Sequence, residues 1–488
     1  MEIAAIMNEF GKYVVHGNKQ ADILGLAYDS RRVSPGDLFF CIPGYKVDGH
    51  DFAKQAVAAG AVAVVVEHWL PLPDEVAQIV VKDARRAMAV TAANFYGNPA
   101  RQMTMIGVTG TNGKTTTTYM LKAIGEHIGK KVGLVGTIHN MIGDTPIQTE
   151  HTTPESVDLQ RLLAEMRDEG VDWVVMEVSS HALELKRVYS MEFDVGIFTN
   201  MTQDHLDFHK TFEQYRLAKK KLFTMSRKAV VNADDETSHF MVEDFAGELV
   251  SYGIREEALV QARDIEIHSR GVDYVLCYPG GQKKVELQIP GIFSVYNSLS
   301  AASAAYVLGV APQEIAEALK GVSSVAGRFE VLDIGQRDYT VILDYAHSPD
   351  GLANILKTAK EFACKRIVTL FGCGGDRDSG KRSIMGEIAG RYSDFCVVTS
   401  DNPRTEDPGE IICSIEEGLK KTSCPYVAIL NRREAIAYVL KQARKDDIII
   451  LAGKGHEIYQ EIDGVKYPFN EKEIVQDILA SLDQDGKS

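Results

Sequence analysis

The chain has 488 residues, 45% hydrophobic and 25% charged, the profile of a soluble globular protein of about three domains. Its net charge of −15 argues against general binding to a nucleic-acid backbone, and its seven cysteines, scattered without a CxxC pair, argue against a disulfide framework or zinc site and fit a reducing, cytoplasmic compartment. The N-terminus MEIAAIMNEFGKYVV lacks a charged region leading into a long apolar one, and no run of about 18 apolar residues follows, so neither a signal peptide nor membrane insertion is expected.

Residues 1–100 predict a small mixed domain. DLFFCI (37–42), AVAVVV (61–66) and QIVVKD (78–83) have strand character, DFAKQAVAAGA (51–61) reads as a helix, and RRAMAVTAANFYGNPA (85–100) is a helical run closed by Gly97, Asn98 and Pro99. Residues 101–328 alternate strand and helix as in an α/β domain with a parallel sheet, the strands being MIGVTG (105–110), WVVMEVS (173–179), VGIFTN (195–200) and AVVN (229–232). The stretch 262–290 alternates like antiparallel strands, and SVYNSLSAASAAYVLG (294–309) reads as a helix. Residues 329–488 repeat the α/β pattern with YTVILDYA (339–346), RIVTLFG (366–372), FCVVTSDNPR (395–404) and DIIILAGKG (447–455). The polar tail LDQDGKS (482–488) is expected to fray.

The strongest chemical signal is VTGTNGKTTTTYML, where Gly110, Thr111, Asn112, Gly113, Lys114, Thr115 and Thr116 lie between an apolar strand and a helix. Glycines let backbone N–H groups approach phosphate, a lysine adds positive charge, and a hydroxyl can hold magnesium. Gly110 is only three residues before Gly113, a shorter loop than the usual GxxxxGK[ST]. In EVSSHALELKR, Glu177 is an acid at the end of an apolar strand, a natural magnesium ligand beside a phosphate loop. TNMTQDHLDFHKTFEQYRLAKKKLF places Asp204, His205, Asp207 and His209 after a strand, where spacing alone fits a solvated loop as well as a metal site. Lys219, Lys220 and Lys221 read by themselves as a solvated helix face.

Taken together, GTNGKTT (110–116), EVSSH (177–181), TNMTQDHLDFH (199–209), YRLAK (215–219), Asn297 in SVYNSLSAA, GRFE (327–330) and DYAHSPDGL (344–352) resemble, in order and over nearly the whole chain, the Mur ligase family of peptidoglycan precursor synthesis. The resemblance implies a three-domain α/β architecture: a uridine-nucleotide domain (1–100), a central ATPase-like parallel sheet (101–328) and a C-terminal Rossmann-like domain for the incoming amino acid (329–488). It implies ATP-dependent ligation through an acyl phosphate, with two magnesium ions held by Thr115, Glu177, His205 and a carbamylated Lys219. Carbamylation requires a neutral amine, which the neighbouring Lys220 and Lys221, and any nearby magnesium, are expected to favour by disfavouring protonation. Asn297 would meet the nucleotide base, and Arg328 and Asp344 the phosphates and ribose.

Within the family the chain is similar to the enzymes that extend UDP-N-acetylmuramoyl-L-alanyl-D-glutamate. Ser30 in YDSRRVSPGD, Thr152 and Thr153 in HTTPES, Ser179 and Arg187 match contacts to that substrate. Arg377 in GGDRD, Asp401, Asn402, Pro403 and Arg404 in DNPR, and Gly453 and Glu457 in AGKGHE match those to meso-diaminopimelate, whose distal carboxylate suits an arginine fork and distinguishes it from lysine. A monomer is expected. The competing readings are a lysine-adding relative, a folylpolyglutamate synthetase-like ligase and, outside enzymes, a nucleotide-regulated binding protein.

Overall fold

The computed structural model describes residues 1–44, 47–147, 151–202, 206–268, 271–322 and 325–485. They form two compact units, one of 1–261 with 299–315 and one of 262–298 with 316–488.

The first unit opens with a five-stranded sheet in the order Val14–His16, Ala77–Val80, Ala63–Val66, Asp37–Phe40, Gly25–Ala27. It is parallel apart from the antiparallel first strand. Its central strand, Ala63–Val66, is apolar along its whole length because both faces are covered. Leu38, Phe40, Val65 and Ile79 pack against Met88, Val90 and other residues of the helix Ala84–Phe95. Phe39, Val64 and Val66 pack on the opposite face against Ala53 and Ala56.

The second sheet of this unit carries six parallel strands in the order Glu248–Gly253, Ser226–Asn232, Phe193–Phe198, Thr104–Thr109, Trp173–Glu177, Val132–Val135. Two short antiparallel strands, Asn140–Ile142 and Thr145–Ile147, follow at its edge. Thr104–Thr109 lies in the middle, with Val108 in register with Glu177 on one side and Thr109 with Phe198 on the other. The chain leaves this strand towards one side and later returns to the other, which opens a crevice beyond the carboxyl ends of the strands.

The second unit is built on a six-stranded sheet in the order Glu330–Val331, Thr340–Asp344, Ile448–Ala452, Ile367–Phe371, Phe395–Val398, Tyr426–Ala428, parallel except for the first pair. Helices Pro349–Phe362, Lys381–Tyr392 and Pro408–Leu419 cover one face, and Arg432–Lys441 and Glu471–Asp485 the other. The stretch 262–290 contains the antiparallel hairpin Gly271–Tyr278 and Gly281–Leu287, in keeping with its alternating pattern. The tail departs from expectation. It is helical through Asp485, because Leu482 continues the apolar face of Ile474, Val475, Ile478 and Leu479, while 486–488 lie outside the described residues.

The helices Lys381–Tyr392 and Pro408–Leu419 approach each other through glycine. A Cβ on Gly418 would sit 1.8 Å from the Ser383 carbonyl oxygen, and one on Gly386 2.1 Å from that of Ile415. Alanine normally favours a helix over glycine by about 1 kcal/mol. Here it would force two backbones apart, so Gly418→Ala should lower stability by about 1–3 kcal/mol. Chemical denaturation of the two proteins measures the difference.

Candidate active site

The phosphate loop follows the buried strand Thr104–Thr109 and ends where Gly113, in a left-handed conformation, caps the helix Lys114–His127. Gly110 has φ +145°, and a Cβ there would lie 1.9 Å from Thr199 Oγ1. Thr199 and Asn200 brace the loop: Thr199 Oγ1 donates to the Asn112 carbonyl at 2.6 Å, and Asn200 accepts the Asn112 N–H at 2.9 Å and the Thr111 N–H at 2.8 Å. Lys114 Nζ arches over the loop and donates to the carbonyls of Gly110 at 3.0 Å and Thr111 at 2.8 Å. Thr116 is buried at the start of the helix.

Glu177, 1% exposed, ends the neighbouring strand. Its carboxylate accepts Thr115 Oγ1 at 3.0 Å, the Thr137 N–H at 2.8 Å and Thr137 Oγ1 at 3.1 Å. A Cβ on Gly136 would press on Glu177 Oε1 at 2.7 Å, so the carboxylate sits in a cradle that only glycine leaves open. Two threonine hydroxyls and a carboxylate form an all-oxygen set, the ligand chemistry that suits magnesium.

Lys219 lies on the helix Phe212–Thr224 and is not part of a solvated face, being 1% exposed. Its Nζ donates to the Gly110 carbonyl at 2.6 Å and sits 4.5 Å from the centroid of the Tyr215 ring. The Tyr215 hydroxyl in turn meets Thr111 Oγ1 at 3.1 Å. Lys220 is ion-paired with Glu243 and Asp244, and Lys221 with Glu184. The expectation that these two lysines act on the Lys219 amine is therefore corrected: carboxylates hold both of their charges elsewhere. Asp204 and His205 lie outside the described residues. Asp207 and His209 belong to the short helix Leu206–His209, and His209 Nε2 is 2.9 Å from Ser180 Oγ.

The residues matched to the uridine-linked substrate surround the same strand end, except Ser30. Thr153 Oγ1 donates to the Glu177 carbonyl at 2.8 Å and accepts the Ser179 N–H at 3.2 Å. Ser179 caps the helix Ser180–Glu184, and Thr152 Oγ1 meets Thr137 Oγ1 at 3.1 Å. Arg187 donates to the Thr153 carbonyl at 2.8 Å and to Glu155 at 2.9 Å. Ser30 begins the turn Ser30–Arg32 of the N-terminal sheet, with its hydroxyl 3.3 Å from Gln55. The sequence reading missed Thr137, which touches Glu177 twice. It lies after Val132–Val135, a four-residue strand that the reading also passed over.

In the second unit, Asn297 is buried on the helix Ile292–Val307. Asp344 ends a strand and accepts the N–H groups of Phe329 and Ala346 at 2.7 and 2.8 Å. Burial pushes its carboxyl up, against the opposing pull of the Arg328 guanidinium and those two N–H groups. Arg328 stacks over Tyr345, 5.1 Å from its centroid.

The DNPR tetrapeptide divides in two. Asp401 and Asn402 point inward: Asn402 Oδ1 accepts Lys454 Nζ at 2.9 Å and the Glu461 N–H at 3.0 Å, and its Nδ2 donates to Glu457 at 2.9 Å. Asn402 thus makes three hydrogen bonds within the protein, and Glu457 faces the Lys454 ammonium at 3.1 Å. Pro403 and Arg404 form the presenting half. Arg404 holds φ +53°, uncommon for a side-chain-bearing residue, with its N–H on the Glu461 carbonyl and its own carbonyl receiving the Asp463 N–H. Its guanidinium pairs with Glu461 at 3.2 Å and Gly375 O at 2.7 Å, which leaves Nη2 without a partner among the described residues. Arg377 is exposed on the preceding loop, and Gly453 has φ +117° where the strand Ile448–Ala452 ends. Arg404, Arg432 and Gln460 help to line a cavity of about 750 Å³ beside this loop.

Residues 22–96 match the Mur ligase family catalytic domain, 108–305 the Mur ligase middle domain and 327–455 the Mur ligase glutamate ligase domain. The chain is 52% identical over 474 residues to a UDP-N-acetylmuramoyl-L-alanyl-D-glutamate–2,6-diaminopimelate ligase of Caldanaerobacter subterraneus subsp. tengcongensis, covering 97% of this chain and 98% of that protein. It is 46% identical over 483 residues to a ligase of the same name, numbered 1, from Clostridium acetobutylicum, covering 99% and 100%. A solved structure of a protein with that activity in its name superposes with a TM-score of 0.70 at 32% identity, over 94% of this chain and 95% of the other. With a phosphate loop, a buried strand-end acid and three consecutive domain matches, the chain belongs to the Mur ligase family.

Proposed function

We propose that this Mur ligase adds meso-diaminopimelate to UDP-N-acetylmuramoyl-L-alanyl-D-glutamate at the expense of ATP, a step of peptidoglycan precursor synthesis. The observation that carries this reading is the near-full-length identity to 2,6-diaminopimelate ligases. The decisive experiment supplies the muramoyl dipeptide and ATP with either meso-diaminopimelate or lysine and identifies the product by mass. A tripeptide formed with lysine in preference overturns the assignment.

A carboxylate does not react usefully with an amine in water. In the proposed reaction, the D-glutamate side-chain carboxylate attacks the γ-phosphorus of ATP, the bond to ADP breaks, and an acyl phosphate forms. The unprotonated amine of diaminopimelate then attacks the acyl carbon, and phosphate leaves from the tetrahedral intermediate as the nitrogen loses its proton. Phosphoryl transfer depends on positioning and charge neutralisation. The loop Gly110–Thr116 would cradle the phosphates with its N–H groups, and Lys114, turned here onto the carbonyls of Gly110 and Thr111, would extend to them. Thr115 and Glu177 would hold one magnesium ion, and His205 with a carbamylated Lys219 a second. These ions, when bound, would neutralise the phosphate oxygens. Thr152, Thr153, Ser179 and Arg187 would orient the muramoyl dipeptide beside them, with Ser30 on the uridine portion. Asn297, Arg328 and Asp344 would meet the nucleotide.

Arg404 and Arg377 would bind the distal carboxylate of diaminopimelate, a group that lysine lacks. Pro403 sets the turn that presents Arg404, and Gly453 and Glu457 complete the site from the adjacent loop. Asp401 and Asn402 would contribute to the same site, and the Asn402 hydrogen bonds also hold this loop in place. The presence of Lys114, Glu177, His205 and Lys219 together in the sequence supports an enzyme over a nucleotide-regulated binding protein.

Three measurements test the roles. Lys114→Ala should reduce turnover at least about 100-fold with the circular dichroism spectrum unchanged; near-normal turnover removes Lys114 from phosphoryl transfer. Lys219→Ala should be similarly inactive and partly restored by added short carboxylic acids, which replace the anionic oxygens of a carbamate. Full activity without them would show that no carbamate is needed. Arg404→Ala should raise the KM for diaminopimelate at least about tenfold, the loss of one charge-assisted bond. The KM values for ATP and the muramoyl dipeptide should stay near wild type, and unchanged diaminopimelate kinetics would take Arg404 out of the site.

A further inference from the structure

Beneath the DNPR loop lies an ion pair with no place in the reaction. Arg432 is 1% exposed and Glu471 is 1% exposed, and their contact, Nε to Oε1, is 2.7 Å. Burying two charges costs much of what their attraction returns, so such a pair is a poor device for stability alone. The location adds to the cost. Arg432 is the first residue of the helix Arg432–Lys441, where a cation opposes the helix dipole.

The remaining atoms of the guanidinium indicate what the pair is for. Nη2 donates to the carbonyl of Ala452 at 2.9 Å, the last residue of its strand and the one before Gly453. Nη1 faces Asp401 Oδ2 at 3.8 Å, and neither atom has a hydrogen-bond partner among the described residues. One rigid planar fork therefore spans the roots of two loops, 401–404 and 453–457. These roots are in close contact: a Cβ on Gly453 would lie 2.6 Å from Asp401 Oδ2. Further out, Lys454 joins the same loops by way of Asn402 and Glu457.

We propose that Arg432, anchored by Glu471, is a positioning residue for the incoming amino acid. It sets the spacing between the loop that presents Arg404 and the loop that carries Gly453 and Glu457. This inference rests on the reading that these loops bind the amino acid. The 3.8 Å gap to Asp401 gives the device a direction: a small inward movement of the loop on binding would complete a charge-assisted hydrogen bond. Lysine cannot replace Arg432, because an ammonium cannot reach Glu471, Ala452 and Asp401 in one plane.

The test is steady-state kinetics of Arg432→Lys, Glu471→Gln, Arg404→Ala and the double variant Arg404→Ala/Arg432→Lys, each checked for folding by circular dichroism. Arg432→Lys and Glu471→Gln should each raise the diaminopimelate KM at least about tenfold while the KM values for ATP and the muramoyl dipeptide stay within about twofold. If Arg432 acts through the loop that presents Arg404, the double variant should be within about threefold of Arg404→Ala. Unchanged diaminopimelate KM in the folded single variants, a parallel rise in all three KM values, or fully multiplicative effects in the double variant would each overturn the proposal. Should Arg432→Lys fail to fold, Glu471→Gln decides by the same criteria. The Arg404→Ala arm separates the two ideas: if it raises the diaminopimelate KM and the Arg432 and Glu471 variants do not, only the positioning role falls. If it too has no effect, the assignment of the loop falls and the inference with it.

Discussion

The buried carboxylate of Glu177 is the constraint on which the first unit's site depends. It sits at the end of a central strand, where a charge is costly unless hydrogen bonds replace the lost water. Three donors do so: the hydroxyl of Thr115 from the phosphate loop, and the N–H and hydroxyl of Thr137 from beyond the next strand. The Glu177 carbonyl adds a third segment by accepting Thr153 Oγ1. Satisfying one acid thus draws the phosphate loop and the segments around Thr137 and Thr153 to one point. Two glycines permit the approach, Gly110 against Thr199 and Gly136 against Glu177 itself.

The second unit solves a similar problem with buried cations. Lys454, with no exposed surface, joins Asn402 to Glu457, and Arg432 joins Ala452 to Glu471. Each is paired, as burial requires, and each pairing fixes a loop beyond a strand end. The positive φ of Arg404 belongs to the same arrangement. Its backbone is pinned between the Glu461 carbonyl and the Asp463 N–H, which offsets the strain and turns the guanidinium towards Gly375 and Glu461.

Much of this was legible in the sequence. Buried parallel strands are continuous apolar runs, so WVVMEV and DIIILA announced themselves, and the loop GTNGKTT carried its chemistry in its composition. Shorter elements were not legible. Val14–His16 is a three-residue edge strand with little burial, and nothing in its composition marks it. Val132–Val135 is buried but only four residues long, and without it Thr137 had no visible reason to matter. The tail misled because LDQDGKS is polar on average, while the one apolar residue, Leu482, falls on the helix face that meets the core.

The sequence by itself determined the residue types of the site, their order along the chain and the strands that carry them, because those follow from local composition and period. Tertiary structure alone decided which way each charge faces. Three consecutive lysines are equivalent on paper, yet Lys219 is buried against Gly110 while Lys220 and Lys221 pair with surface acids. Asp401 and Asn402 stand beside Arg404 in the chain, yet they face inward, towards Arg432, Lys454 and Glu457. The physical reason is that a buried charge or amide must find its partner wherever the fold provides one, and those partners lie about 30 to 110 residues away: Arg432 is 31 from Asp401, Glu457 is 55 from Asn402, and Gly110 is 109 from Lys219.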